Sequence, residues 1–569
     1  MLESEIVYND NIMDLIKDLE SIQKGDVITD PETLRHYSGD ASVFRIMPRV
    51  VVAPKTVADI KALVNYVRQH KRHDASLSLT VRSGGTDMGG GPLSDSIVVD
   101  MNKYLNKLVR FGKNSVTVQP GMFYHDLEPL MNKRKVVYPS YPASKSIASL
   151  GGIVSNNSGG EMSLRYGQTV RYVESLKVVL ADGNEYALGE ITKTELAKKV
   201  KQGDFEGQVY RSISQLLSKN HDRIQKAKPR TSKNSTGYLL WDVMDSNSDS
   251  MNLAKIFVGA QGTLGIITEA TLRLVPIEPR EVMAVIYLDD NHLRKLAEIV
   301  NIILQYKPTA LESYDDKTLR LALKYAPQIA HMISKEENII HFGLNMIPDF
   351  LLMFFTRGLP KLVLMAEFTG KSRSALDKTM SSLTQALRPY HVPIRQAHSA
   401  EDSAKYWTIR RQSFNLLRKK IKGKQTVPFI DDIIVNPEYL PEFLPKLNDI
   451  LRDYPQLTYT IAGHVGNGNF HIIPLMDLTK PHVAETIRHA ADRVYDLVFQ
   501  YGGSMSAEHN DGMIRGQYLE QMYGRAVMSL FRSTKKIFDP DNIFNPHKKT
   551  QATWNYALKW LKKDNEHEV

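Results

Sequence analysis

Cysteine is absent from all 569 residues, which removes disulfides, thiolate zinc sites, cysteine nucleophiles and iron–sulfur clusters. Any metal must rest on His, Asp or Glu. Long apolar runs are missing too, since none approaches the ~20 residues that a membrane-spanning helix needs. The nearest stretch is Phe350-Leu-Leu-Met-Phe-Phe355, followed by Arg357 and Lys361. It reads first as a buried helix or domain contact, and second as a surface segment dipping into lipid. The opening residues, Met1-Leu-Glu-Ser-Glu-Ile6, lack the basic and apolar regions of a secretory leader and are too acidic for a transit peptide. A cytoplasmic protein is expected, with peripheral contact at the inner membrane face as the variant.

Acidic residues are outnumbered, 63 against 73 Lys and Arg, for a net charge of +10. A nucleic-acid reader would gather that excess beside aromatic or groove-reading motifs. Here it is dispersed, apart from one cluster of Arg410, Arg411, Arg418, Lys419, Lys420, Lys422 and Lys424. The charge favours anionic small molecules or an anionic membrane surface over nucleic acid.

Residues 50–280 are rich in short β-type runs and glycines. Val50–Pro54, Ser96–Met101, Ser115–Gln119 and Glu174–Leu180 read as strands, and Thr56 caps a helix through Val67. Asp182-Gly183 signals a hairpin turn. Beyond 280, strands at Glu281–Tyr287 and Leu362–Phe368 alternate with helices at His292–Leu304 and Ser372–Leu387, and Val483–Gln500 is amphipathic. The pattern predicts two domains meeting near Pro276–Pro279, the second an α+β layer with helices on one face of a sheet.

The strongest local signal lies in Gly463-His-Val-Gly-Asn-Gly-Asn-Phe-His471. Asn467-Gly468 between alternating apolar residues marks a two-residue hairpin turn. Centred there, the turn sets His464 directly opposite His471 on one sheet face, with Cβ atoms ~5 Å apart. Two imidazoles so placed can grip one metal ion, and Glu508 is a candidate anionic third ligand. A site of two His and one carboxylate leaves positions open for substrate, as a catalytic centre requires.

Three loops of small residues occur in the first domain. Arg82-Ser-Gly-Gly-Thr-Asp-Met-Gly-Gly-Gly91 frees the backbone to aim successive N–H groups at an anion such as a diphosphate. It is neither a Walker A loop nor Gly-x-Gly-x-x-Gly opening a helix. Ser146-Ile-Ala-Ser-Leu-Gly-Gly-Ile-Val-Ser-Asn-Asn-Ser-Gly-Gly160 and Val258-Gly-Ala-Gln-Gly-Thr-Leu-Gly-Ile-Ile-Thr268 follow. Together they suit an elongated ligand that touches backbone at several places.

The order and wording of these loops resemble the vanillyl-alcohol oxidase / p-cresol methylhydroxylase flavoprotein superfamily, in its branch of FAD-linked D-2-hydroxyacid dehydrogenases. The resemblance covers 50–280 and resumes over 400–548. It implies an α+β chain with an N-terminal helical extension (1–45) and a two-subdomain PCMH-type FAD-binding domain (46–278). An α+β cap with an antiparallel sheet (279–540) and a C-terminal segment returning to the FAD domain (541–569) complete it. It gives Arg82, Ser83, Gly84, Gly85, Thr86 and Asp87 to the pyrophosphate, and Ser149, Gly152, Asn156 and Gly159 to the ribityl and flavin. Ile267 falls on the adenine side and Asn545 near the flavin ring. Thr86 stands where some members carry a flavin-linking His, so FAD is expected to be non-covalent. The resemblance also assigns a divalent metal, zinc by preference, to His464, His471 and Glu508. His509 becomes the base, a neutral imidazole being suited to take the hydroxyl proton. Arg410, in Tyr406-Trp-Thr-Ile-Arg410, becomes the clamp on the substrate carboxylate, and only one of Arg410 and Arg411 is expected to point into a site. This chain departs at Asn467, where the family usually has Asp. It departs again at Asn510, whose bulk is expected to reshape the pocket, and over 320–360, which look like an insertion.

The expected activity is oxidation of a D-2-hydroxy acid, D-lactate or similar, to the 2-oxo acid. Electrons then pass to a quinone, a cytochrome or an electron-transfer flavoprotein. The alternatives are an alkyl-dihydroxyacetonephosphate synthase-like flavin transferase, a flavin-free metallohydrolase and a membrane-surface binding module.

Overall fold

The computed structural model describes residues 10–245, 249–324, 359–397, 402–411 and 423–563. Phe350–Phe355, most of the insertion-like stretch and the basic residues 418–422 fall outside these ranges. Among the described residues no helix is long and apolar enough to cross a membrane.

The first sheet has four strands in the order Asp26–Ile28, Val50–Ala53, Ile97–Asp100, Leu79–Arg82, with the last three parallel. Val50–Ala53 and Ile97–Asp100 are buried at every position, which is why both read as unbroken apolar runs. Helix Val57–His70 starts at a capping box, with the Thr56 hydroxyl on the Asp59 N–H and the Asp59 carboxylate on the Thr56 N–H, and buries Ile60, Leu63, Val64 and Val67. Two features extend the sequence expectation. Asp26–Ile28, placed in a helical extension, pairs with Val51–Ala53 as a strand. At the other edge, the Leu79 N–H donates to the Ile543 carbonyl at 2.8 Å and the Asn545 N–H to the Leu79 carbonyl at 2.8 Å, so the C-terminal segment adds to this sheet.

The second sheet is antiparallel and seven-stranded, with Ile266–Arg273 between Val173–Val179 and Ser115–Val118. Asp182-Gly183 makes its predicted turn, with Gly183 at φ +79°. The chain then crosses between Pro276 and Arg280 into an eight-stranded antiparallel sheet. Its core order is Arg280–Leu288, Leu362–Gly370, Ala310–Asp315, Thr458–His464, Asn469–Met476.

Both faces of this third sheet are covered. Val282, Ala284 and Ile286 pack with helices Leu296–Gln305 and Arg373–Leu387. Met283, Val285 and Tyr287, pointing the other way, pack with Tyr406, Trp407 and Ile409 of the 402–411 helix. The expectation of helices on one face is thus incomplete. The second face matters more, because Glu312, between Ala310 and Tyr314 of that face, points there with Ala462 and His464.

Candidate active site

One elongated cavity runs between the two glycine-rich loops of the first domain and the second face of the cap sheet. It is lined by Ser83, Gly84, Gly85, Thr86, Asp87, Ser149, Gly152, Asn156, Gly159 and Ile267 from the first domain, and by Arg410, Arg411, His464, His471, Glu508 and His509 from the second. Nearly every candidate residue therefore meets in one place.

The glycines are required by close approach. A Cβ on Gly84 would lie 2.1 Å from the Ile147 carbonyl oxygen, and one on Gly152 would lie 2.7 Å from the Ser83 hydroxyl. Only backbone fits where the first two loops press together. Asp87 accepts the Gly91 N–H at 2.5 Å through one oxygen, while its other oxygen is buried without a hydrogen-bond partner. Burial pushes the Asp87 pKa up. A backbone cradle with an unsatisfied buried polar atom fits a bound diphosphate-containing cofactor. Gly84→Ala is expected to yield protein that folds its cap but loses most bound flavin, checked by the 450 nm absorbance per chain after gel filtration.

Two cofactor candidates lie elsewhere. Arg82 does not line the cavity; its guanidinium sits over the Tyr37 ring, 5.2 Å from the centroid, and donates to the Tyr37 carbonyl at 3.3 Å. Asn545 lies beneath the loops, where its amide donates to the carbonyls of Gly91 (3.0 Å) and Gln261 (2.7 Å). It holds two cavity-lining loops together and does not itself line the cavity.

The His hairpin forms, in another register. Val465–Asn467 wind as a short 3-10 turn and Gly468 takes φ +70°. The loop is therefore four residues, and His464 pairs with Asn469 while Ala462 pairs with His471. The slip is two residues, so face is preserved. His464 and His471 become diagonal neighbours, with ring centroids 5.2 Å apart. Their Nε2 atoms converge on one oxygen, Glu508 Oε1, at 2.9 and 3.3 Å.

Around that oxygen the charges alternate. Arg410 faces Glu312 at 3.3 Å, Glu312 Oε1 binds His464 Nδ1 at 2.6 Å, and Glu508 Oε2 accepts from the fully buried Lys233 ammonium at 2.9 Å. Burial alone would raise the Glu508 pKa, but Lys233 and His464 outweigh it and hold the carboxylate well below its usual range. Burial likewise opposes charge on His464, yet Glu312 and Glu508 leave its pKa raised. His471, with weaker support, is lowered by burial.

His509 stacks on His471 at 5.0 Å between centroids and bonds Asp431 through Nδ1 at 2.6 Å. A neutral ring is the sequence expectation. Burial favours that form, but Asp432 and Asp431 outweigh it and push the pKa up to about 9, so the imidazole holds its proton at neutral pH. Asp431 also pairs with the buried Arg515 at 3.0 Å.

Among the described residues, Asp432, His471, Glu508 and His509 bring potential metal-ligand atoms within 4.8 Å of one another. His464 lies outside this group. Asp432, however, is already committed, with one oxygen accepting from the Ser506 hydroxyl and the Glu508 and His509 N–H groups, each at 2.7 Å. Its other oxygen accepts from the Asn469 amide at 3.0 Å. His464, with a carboxylate on Nδ1 and Nε2 directed at Glu508, has the orientation of a carboxylate-backed metal imidazole. The nitrogen and oxygen donors here fit a divalent cation, zinc among them.

Arg410 and Arg411 both line the cavity, against the expectation that only one would. They differ in commitment, since Arg411 is locked to Glu161 by two bonds of 2.6 and 2.5 Å. Asn510 does not itself line the cavity. At φ +67° its amide donates to the carbonyls of Gly259 and Asn156, and its oxygen accepts from Lys549 at 2.7 Å. Asn tolerates that left-handed backbone better than most residues.

Glu312, Lys233, Asp431 and Asp432 are site residues that the sequence reading does not single out. The Asp431-Asp432 pair ending the apolar run Val427–Ile430 was a legible signal, because charged residues there must be buried with partners. Glu312 carries none without the sheet order.

Residues 48–189 match the family described as "FAD binding domain", and residues 280–549 that described as "FAD linked oxidases, C-terminal domain". The chain is 25% identical over 555 residues to a D-2-hydroxyglutarate dehydrogenase of Haemophilus influenzae, covering 94% of this chain and 51% of the relative. It is 24% identical to a D-lactate dehydrogenase of Anaerostipes hadrus, covering 96% and 99%. The chain thus spans about half the length of several curated relatives it matches and nearly all of others. In fold it is similar to p-cresol methylhydroxylase, with a TM-score of 0.66 at 15% identity over 96% of this chain and 98% of that one.

Proposed function

We propose, from the premise that this chain belongs to the FAD-linked oxidases, that it oxidises a D-2-hydroxy acid, D-lactate or similar, to the 2-oxo acid. The observation that carries this reading is the meeting, in one cavity, of a backbone cradle for FAD with two imidazoles converging on a buried carboxylate. The D-2-hydroxyglutarate and D-lactate dehydrogenases among its relatives support the same class.

FAD, held non-covalently by the Ser83–Asp87 and Ser149–Gly159 loops, would supply the acceptor for the hydride leaving Cα. A divalent cation on His464, His471 and Glu508 would supply the positive charge that acidifies the substrate hydroxyl and weakens the hold of His509 on its proton. The residues do the rest. Arg410 orients the substrate carboxylate and is itself steadied by Glu312. Asp431 and Asp432 fix the His509 ring through Nδ1 and the backbone, leaving Nε2 as the nitrogen that takes the hydroxyl proton. Lys233 keeps Glu508 ionised and turned inward.

The test is anaerobic. Purified yellow protein should bleach with a D-2-hydroxy acid and not with its L-enantiomer. Yellow protein that no hydroxy acid bleaches favours a flavin transferase, and colourless metal-containing protein a hydrolase. Arg410→Ala should raise KM by about 10- to 100-fold with kcat little changed; an unchanged KM moves the clamp to another cation.

A further inference from the structure

Glu508 divides its two oxygens between two domains. Oε1 lies 2.9 Å from His464 Nε2 and 3.3 Å from His471 Nε2, while Oε2 lies 2.9 Å from the Lys233 ammonium. Lys233 comes from the first domain, and its side chain is fully buried. A second bond, to Asn469 Oδ1 at 3.0 Å, holds it in place. The Asn469 amide in turn bonds Asp432 at 3.0 Å, which ties the ammonium to the frame behind His509. The second glycine loop presses on the same oxygen. A Cβ on Gly159 would stand 2.9 Å from Oε2 and 3.5 Å from Lys233 Cδ.

A carboxylate can hold a cation through one oxygen or through both. Partners behind a metal ligand ordinarily strengthen it, as Glu312 does on the far nitrogen of His464. An ammonium acts in the other direction. It occupies the oxygen that a two-point grip would need. It also sets a like charge across one carboxyl carbon from any ion held on Oε1, and inside a protein that repulsion is poorly screened. A structural metal site has no use for such a partner. A catalytic one does, because it must keep coordination positions open.

Building on the proposed function, we infer that Lys233 is a positioning residue that limits Glu508 to one-oxygen metal binding and so keeps places on the cation for substrate. The lysine weakens the hold on the metal and thereby leaves it usable. Its location in the first domain means that this restraint acts when the cap segment carrying Glu508 is docked against the flavin side.

The experiment measures the zinc affinity of FAD-loaded protein by competition with a chromophoric chelator. Lys233→Met and Lys233→Gln should each bind zinc about tenfold or more tightly than the wild type, the size of effect that partners behind a ligand exert. Their zinc-loaded forms should bind pyruvate more weakly by a similar factor, read by calorimetry. A merely structural lysine predicts looser metal, because Glu508 would lose its orientation. Unchanged or weaker zinc binding in the folded variants overturns the inference and leaves the oxidation reading intact. Infrared difference spectra on zinc loading test the wild-type protein without any substitution. One-oxygen binding separates the two carboxylate stretching bands widely and two-oxygen binding narrowly, so a narrow separation also overturns the inference. If the wild type takes up no zinc, the metal part of the functional reading falls and this inference falls with it. If zinc behaves as expected but no hydroxy acid bleaches the flavin, the oxidation reading fails by itself.

Discussion

His509→Ala should retain FAD at wild-type stoichiometry while flavin reduction slows by about 10²- to 10⁴-fold, the range that a positioned acid–base group contributes. The ring reaches the cavity with 23% of its side chain exposed, yet is held by Asp431 at 2.6 Å and through its own backbone N–H by Asp432. Among the described residues the imidazole's hydrogen bond goes to Asp431 of the cap and not to the first-domain loops, so cofactor binding should survive its loss. Stopped-flow reduction with a saturating D-2-hydroxy acid separates the outcomes. A rate within threefold of wild type removes His509 from proton transfer. His509→Gln should do no better than alanine, because an amide fills the space without accepting a proton at neutral pH.

Glu508→Gln should have the second large effect, on metal and fold together. Glu508 is the shared partner of His464, His471 and Lys233, and only 7% of it is exposed. Neutralising it leaves a fully buried ammonium facing an amide, and breaking a buried pair of this kind costs about 3–5 kcal/mol. The expected result is protein with little bound divalent metal by elemental analysis, a midpoint of thermal unfolding lower by several degrees, and negligible turnover. Lys233→Met on the same background should recover part of the lost stability, since it removes the stranded charge, and none of the activity. Full metal occupancy in Glu508→Gln would show that the imidazoles and Asp432 hold the ion without it.

Much of this was legible in the chain because the signals were local. Strands buried on both faces read as apolar runs, Thr56 and Ser372 announced their helices, and Val483–Gln500 is helical over its predicted length. The loops declared themselves because Gly84 and Gly152 stand where a side chain would collide. What escaped was long-range. Glu312 and Lys233 reach the site from strands and loops 152 and 275 residues away from their partners, and nothing near either residue announces a buried charge. Arg82 was assigned to the pyrophosphate because a glycine loop beside a cation suggests an anion site; its guanidinium rests on Tyr37, a contact that the local sequence does not announce. The hairpin register failed for a tertiary reason as well. The Asn467 amide bonds the Ser232 hydroxyl at 2.8 Å, across the domain contact, instead of sitting in a two-residue turn.

That loop has one lasting implication. Because side-chain direction along paired strands flips with each residue, the register of the two strands can slide only in even steps if both imidazoles are to stay on this face. A slide of two residues would move one imidazole along its own wall, past Ala462, and leave both aimed at Glu508's side of the sheet. A slide of one would turn His471 toward the layer of helices and bring Phe470 or Ile472 to the chemistry in its place. Residues added to this connection must therefore be taken up in the loop itself, or shift the strands by two, wherever both histidines keep their role.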